Sequence, residues 1–135
     1  MKSTSDVVLD SHAILRFAQD EAGAERIETL LSDAERSDIQ AFVNEINLGE
    51  IYYITMRRKG IGFANHFLDH FSTLPVQRVA ASWDLIASAA EVKAQHSISY
   101  ADCFVVATAL KYRAMIITGD PEFKKVEHLV KVDWI

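Results

Sequence analysis

Asp6-Val7-Val8-Leu9-Asp10-Ser11-His12-Ala13-Ile14-Leu15 is the stretch that decides the fold. Three adjacent apolar residues between two carboxylates suit a short strand buried on both faces and ending at Asp10. The apolar spacing of residues 12–17 suits a helix that starts almost at once. The same pairing recurs down the chain. A helix over 23–35 sets Ile27, Leu30 and Leu31 on one stripe, and a strand over 39–43 leads to Asn44. Asn44 N-caps a helix that runs to Lys59 and stops at Gly60, with Arg57, Arg58 and Lys59 matching its C-terminal dipole. A helix over 63–71, a strand over 75–79 and a helix over 82–95 opened by Ser82 follow. Ser99-Tyr100-Ala101-Asp102 has the form of a capping box and opens an apolar helix ending near Tyr112. The chain closes with a strand over 115–118, the turn Gly119-Asp120-Pro121, a helical turn over 122–125 and a strand over 129–132. Helical crossovers join parallel strands, so this order implies a three-layer α/β/α domain with a central parallel sheet. Ligands in such sheets sit beyond the carboxyl ends of the strands, where Asp10 and Asp120 fall.

At 135 residues the chain is expected to form one domain over 1–135. Its hydrophobic half, 24% charged residues, five Gly and two Pro exclude disordered and collagen-like classes. Cys103 is the single cysteine, which excludes an intrachain disulfide and a Cys-based zinc site and points to a reducing, cytoplasmic setting. No apolar run approaches the ~20 residues of a membrane helix, and residues 1–6 do not resemble a signal peptide. Fourteen basic against nineteen acidic side chains give a net charge of −5. A nucleic-acid partner of such a chain needs metal ions between the two.

Four acids stand out. On a helical wheel Glu50 falls among Ile46, Tyr53 and Ile54, with Leu48, Ile51 and Tyr52 around the rest, so a buried or nearly buried carboxylate is expected. Asp102 opens a helix that is apolar on every side. Asp10 and Asp120 stand at strand ends. Each has an ordinary reading as well: Asp10 as a helix cap, Asp102 as a dipole and capping-box residue, Asp120 as a turn residue. If the four converge, their repulsion calls for cations, and hard oxygen ligands select Mg²⁺ or Mn²⁺. Phosphodiester hydrolysis by an activated water suits such a site.

Val7-Val8-Leu9-Asp10-Ser11, Asn47-Leu48-Gly49-Glu50, Ser99-Tyr100-Ala101-Asp102 and Ile116-Ile117-Thr118-Gly119-Asp120, in this order, resemble a PIN domain, and the size resembles a VapC-type toxin. The resemblance implies a Mg²⁺- or Mn²⁺-dependent ribonuclease leaving 5′-phosphate and 3′-hydroxyl ends. Asp10, Glu50, Asp102 and Asp120 fall on the family's acidic positions. Ser11 and Thr118 fall on its polar positions, where a hydroxyl can hold a carboxylate. Glu122 matches a further acid of some relatives, and Glu45 is a weaker match that a first-turn helix acid explains. The resemblance also implies a homodimer and a cognate VapB-like antitoxin. His12 sits where the family varies and is read as a packing residue.

Other features compete. His66 and His70 have the i, i+4 spacing of a zinc pair with Asp69 close by, yet no third ligand is evident. Arg57-Arg58-Lys59, Lys111 with Arg113, and Lys124 with Lys125 could grip phosphates or serve as helix-end charges. Cys103 is read as core, and Trp83 and Trp134 as core or dimer contacts. An aspartate-based phosphotransferase would want a second acid at position 12, where His12 stands. A receiver-like signalling domain would lack acids on two separate buried helices. A non-catalytic module that binds a basic partner segment is the alternative of a different class, and Mn²⁺ binding discriminates it.

Overall fold

Val7–Leu9 form the first strand, β1, and all three side chains are buried. In the computed structural model, which describes residues 5–135, β1 is the central strand of a five-stranded sheet. Its companions are β2 (Ala41–Asn44), β3 (Gln77–Val79), β4 (Met115–Thr118) and β5 (Val132–Trp134). Their order is β3-β2-β1-β4-β5 and every pairing is parallel.

Alternation along β1 explains why a continuous apolar run was needed. Val7 and Leu9 pack with Ile14, Ile27, Leu31, Leu48, Ile51 and Phe71 from one helical layer. That layer comprises α1 (Ser11–Ala18), α2 (Ala24–Glu35), α3 (Glu45–Lys59) and α4 (Ile61–Phe71). Val8 points the other way, into Leu85, Val92, Phe104 and Val105 of α5 (Trp83–Gln95) and α6 (Tyr100–Tyr112). The expected three-layer α/β/α architecture is the observed one. A 3₁₀ helix, Pro121–Val126, joins β4 to β5.

Four elements start two or more residues away from the sequence reading. Leu129 and Val130 do not open β5, because their N–H groups bond back to the Val126 carbonyl at 2.9 and 3.3 Å and prolong the turn. β3 starts at Gln77 and not at 75, since Pro75 has no N–H to donate and the Val76 N–H is used on the Leu74 carbonyl at 2.8 Å. β2 runs 41–44 where 39–43 was expected, with the Gln40 N–H held by the Asp6 carboxylate at 2.8 Å. Gly60, at φ +87°, ends α3 and begins α4 directly, two residues earlier than position 63.

The chain lays β2 and β3 to one side of β1, then crosses back to place β4 and β5 on the other. The order therefore reverses between β1 and β4, the position at which parallel sheets open a crevice beyond their strand ends. Leu9 pairs with Ile117, so Asp10 emerges next to Thr118 at that crevice.

Candidate functional site

Asp10 is 1% exposed and belongs to both the sheet and a helix. It N-caps α1, accepting the Ala13 N–H at 2.7 Å through Oδ1, as its ordinary reading anticipates. Its Oδ2 accepts the Thr118 hydroxyl at 2.5 Å. The same Thr118 oxygen accepts the Asp120 N–H at 2.9 Å, so one hydroxyl fixes the acid after β1 and the loop after β4. Burial pushes the Asp10 carboxyl up to about 7. The Thr118 and Ala13 hydrogen bonds pull against that rise, while the charges of Asp102 and Asp120 add to it.

Asp102 lies in the first turn of α6, where the Ser99 hydroxyl accepts its N–H at 3.2 Å. Burial raises its carboxyl to about 6, the Ser99 hydrogen bond lowers it, and repulsion from Asp120, Glu50 and Glu122 raises it further. Those neighbours outline an acidic cluster centred on Asp102: Asp10 and Asp102 each feel Asp120 and Asp10 feels Asp102, while Asp102 also feels Glu50 and Glu122. Among the described residues no Lys, Arg or His pairs with Asp10, Glu50, Asp102 or Asp120.

Asp120 N-caps the 3₁₀ helix, its Oδ1 accepting the Glu122 N–H at 3.0 Å. Glu122 sits on the exposed rim and pairs with Lys125 at 2.8 Å. Ser11 opens α1 beside Asp10, half-buried, and makes no hydrogen bond to the acids. Glu45 is turned away, paired with Arg78 at 2.8 Å. His12 packs against Gly119: a Cβ at Gly119 would stand 2.9 Å from His12 Cε1 and 3.1 Å from the Ile135 carbonyl oxygen. Glycine there lets the loop that carries Asp120 close over the ring.

Glu50 corrects the wheel argument. It is partly buried and not enclosed, and Ile46 and Tyr53 are 38% and 46% exposed, because the buried stripe of α3 is Asn47, Leu48, Ile51 and Thr55. Glu50 borders that stripe at the mouth of the crevice. Trp83 is not a core residue: at the first turn of α5 it lies off the buried stripe of Leu85, Ala89 and Val92 and is exposed, which leaves the contact reading of the two alternatives. Cys103 is buried in the core. His66 and His70 are both exposed and line a groove of about 420 Å³ with Phe17, Glu28, Phe63 and Phe67.

Among the described residues no group of three or more His, Cys, Asp or Glu side chains is gathered tightly enough to hold a metal ion by itself. The donor set nevertheless fits a hydrated hard cation: Asp102 and the acids Asp10, Glu50 and Asp120 around it have no ion-pair partner among the described residues, and Mg²⁺ binds through one or two carboxylates while keeping several waters.

The chain matches the PIN domain family over residues 7–129. It belongs to the PIN domain family. No curated protein matches it by sequence. Among solved structures, VapBC2 from Rickettsia felis bound to a DNA fragment from their promoter is similar with TM-score 0.73 and 15% identity, over 94% of this chain and 96% of that one. DNA-bound VapBC from Salmonella typhimurium gives TM-score 0.74 at 12% identity over 96% and 97% of the two chains. VapC20 from Mycobacterium tuberculosis, a sarcin-ricin loop cleaving toxin, gives 0.73 at 18% over 90% and 95%.

In this PIN domain two asparagines do work that the sequence reading passed over. Asn44 Nδ2 donates to the Thr108 hydroxyl at 3.2 Å, tying the start of α3 to α6. Asn47 Nδ2 donates to the Ala101 carbonyl at 3.0 Å and to Glu50 Oε1 at 3.3 Å. Asn47 thereby sets Glu50 against the residue next to Asp102, and its buried Oδ1 has no hydrogen-bond partner. The signal in the sequence was an amide three residues before Glu50, on the same helical face.

Proposed function

We propose that this PIN domain is a divalent-metal-dependent endoribonuclease and the toxin half of a VapBC-type toxin-antitoxin pair. The observation that carries the reading is the acidic cluster around Asp102, in which Asp10, Asp120 and Glu50 raise one another's burden of charge with no ion-pairing cation among the described residues. Family membership over residues 7–129 supports the fold of the site, and the similarity to VapBC and VapC structures supports the toxin assignment.

The four acids would hold Mg²⁺ or Mn²⁺, which when bound offsets their repulsion, acidifies an attacking water and steadies the negative charge that develops on the phosphate. Asp10 is fixed from two sides by Ala13 and Thr118, so it changes position little when its charge state changes. Glu50 is oriented by Asn47, whose amide donates to it at 3.3 Å. Asp102, whose carboxyl is raised by burial and by repulsion from Asp120, Glu50 and Glu122, would hold the cation from the first turn of α6. Thr118 holds the Asp120 backbone and Asp10 in one register. In-line hydrolysis then leaves 5′-phosphate and 3′-hydroxyl ends.

RNA is the substrate in this reading and a VapB-like antitoxin the protein partner, with a homodimer as the toxin's own assembly in the cytoplasm. No helix among the described residues is long and apolar enough to cross a membrane. Cleavage of end-labelled RNAs by partner-free protein, with Mg²⁺ or Mn²⁺, with EDTA and with Asp10→Asn, tests the reaction. Cutting that needs the metal and is lost in the variant supports it. Intact folded protein that cuts no RNA and gains no stability from Mn²⁺ overturns it in favour of a non-catalytic binding module.

A further inference from the structure

A second pair of metal-ligating side chains lies apart from the acids. His96 ends α5, and His128 lies in the loop between the 3₁₀ helix and β5. Their Nε2 atoms are 3.2 Å apart, the ring centroids 5.2 Å apart, and the ring planes inclined at 36°. His96 Nδ1 stands 2.9 Å from the Val92 carbonyl oxygen. A carbonyl only accepts, so Nδ1 carries the proton, and Nε2 of neutral His96 presents a bare lone pair towards His128.

These distances are those of a chelating pair. Two imidazole nitrogens, each about 2.0–2.1 Å from a tetrahedral Zn²⁺, stand about 3.3–3.4 Å apart, with ring centres about 5.2 Å apart. The Nδ1–H to carbonyl bond is also the supporting contact that ligating histidines ordinarily carry, since it fixes the tautomer and the ring orientation. Positive charge nearby is already engaged. Lys93 donates to the Ile98 carbonyl at 2.7 Å, and Lys125 donates to the Ser97 carbonyl at 2.9 Å while pairing with Glu122 at 2.8 Å.

We propose that His96 and His128 form a two-histidine clip for a borderline transition cation of the Zn²⁺ or Ni²⁺ class, with water completing the coordination. Imidazole favours such ions, whereas the carboxylate site favours Mg²⁺ and Mn²⁺, so the two sites separate by ligand chemistry. The clip joins two segments that matter elsewhere. Three residues after His96, Ser99 caps the turn bearing Asp102, and His128 lies two residues past the 3₁₀ helix that Asp120 caps. A cation on the pair crosslinks the far ends of both. The proposal does not depend on the nuclease reading.

Titration of the untagged, metal-free full chain with ZnCl₂, in buffer containing Mg²⁺, tests it by calorimetry, alongside ¹⁵N imidazole NMR. The expected result is a Zn²⁺ site whose affinity drops at least tenfold in His96→Gln and in His128→Gln and is unchanged in the His66→Gln/His70→Gln double variant. A Zn²⁺-dependent rise in melting temperature should vanish in the same two single variants. In the unsubstituted protein the Nε2 resonances of His96 and His128 should shift together. No Zn²⁺ uptake, unchanged affinity in the single variants, loss only in the His66→Gln/His70→Gln protein, or unmoved Nε2 resonances overturns the clip and leaves a plain histidine–histidine hydrogen bond. The NMR arm decides the question even if a variant fails to fold.

Discussion

Asp10→Asn should make the metal-free protein more stable at alkaline pH, while abolishing the activity proposed for it. The folded chain raises the Asp10 carboxyl from 3.8 to about 7, chiefly by burial. Between those values the folded state holds a proton that the unfolded state has released. Stability therefore falls as pH rises through this window, and the whole cost is present above about 7. At about 1.36 kcal/mol per unit, a rise of roughly three units corresponds to about 4 kcal/mol. Asparagine has no charge to desolvate, and its Oδ1 can still accept the Ala13 N–H, but its amide must be accommodated by the Thr118 oxygen, which reduces the gain to about 2–4 kcal/mol. For a domain of this size each kcal/mol moves the midpoint by a few degrees, so a rise of about 6 °C or more is expected at pH 8 in EDTA. At pH 4 the folded carboxyl is protonated and the unfolded one has only begun to ionise past its midpoint, so the accumulated cost is about 0.6 kcal/mol and the difference should shrink below about 1 kcal/mol. Thermal and urea denaturation followed by circular dichroism, at both pH values, measures this directly. Saturating Mn²⁺ should then narrow the gap, because only the native acid set gains about 2.7 kcal/mol at a hundredfold excess over Kd. An Asp10→Asn protein that is less stable at pH 8, or equally displaced at pH 4 and pH 8, would refute the claim that this buried charge strains the fold.

Three further substitutions probe the parts that hold the acids. Thr118→Val removes the hydroxyl shared by Asp10 and the Asp120 N–H, so it should cost about 1–3 kcal/mol by denaturation and push the Asp10 titration, read by carboxyl ¹³C NMR, further upward. Gly119→Ala drives a methyl group to 2.9 Å from His12 Cε1 and should cost about 1–3 kcal/mol in urea melts, part of it recovered by adding His12→Ala. Asn47→Ala cuts the link between Glu50 and the Ala101 carbonyl; a loss near 1 kcal/mol with a larger proportional fall in RNA cleavage is expected, whereas equal falls in folded fraction and cleavage would make Asn47 purely structural.

The strand ends and helix starts were legible because they depend on short-range patterns. The apolar burst at 7–9, the caps Asn44, Ser82 and Ser99, and the stop at Gly60 all lie where the sequence puts them. What failed to read through was anything set by a distant neighbour. The β5 boundary moved because the Val126 carbonyl captures two N–H groups that look free in the sequence. Glu50 looked enclosed because periodicity counts apolar residues on a wheel without knowing which side of α3 meets the sheet and α6. Asn44 and Asn47 looked like ordinary helix-end polar residues, yet both are wholly buried, since α3 and α6 must be pinned to each other for Glu50 to face Asp102. The facing histidines of α5 and the last loop, 32 residues apart, carry no local signal at all.

For the acids themselves, the ordinary reading and the functional one turn out to be the same arrangement. Asp10 caps α1, Asp102 sits in the first turn of α6 and Asp120 caps the 3₁₀ helix, so three of the four carboxylates stand at helix starts. Neighbouring carboxylates repel, and with no lysine or arginine paired to them among the described residues, fixed dipoles and hydrogen bonds hold them in register before a cation arrives. Backbone N–H groups of Ala13 and Glu122, with the Thr118 hydroxyl, donate directly to the carboxylates of Asp10 and Asp120. At a helix N-terminus the same orientation adds favourable charge. Capping is thus what makes a concentrated acidic site affordable in a chain this small. The fourth acid, Glu50, lies well inside α3, lacks that support, and is steadied instead by an asparagine.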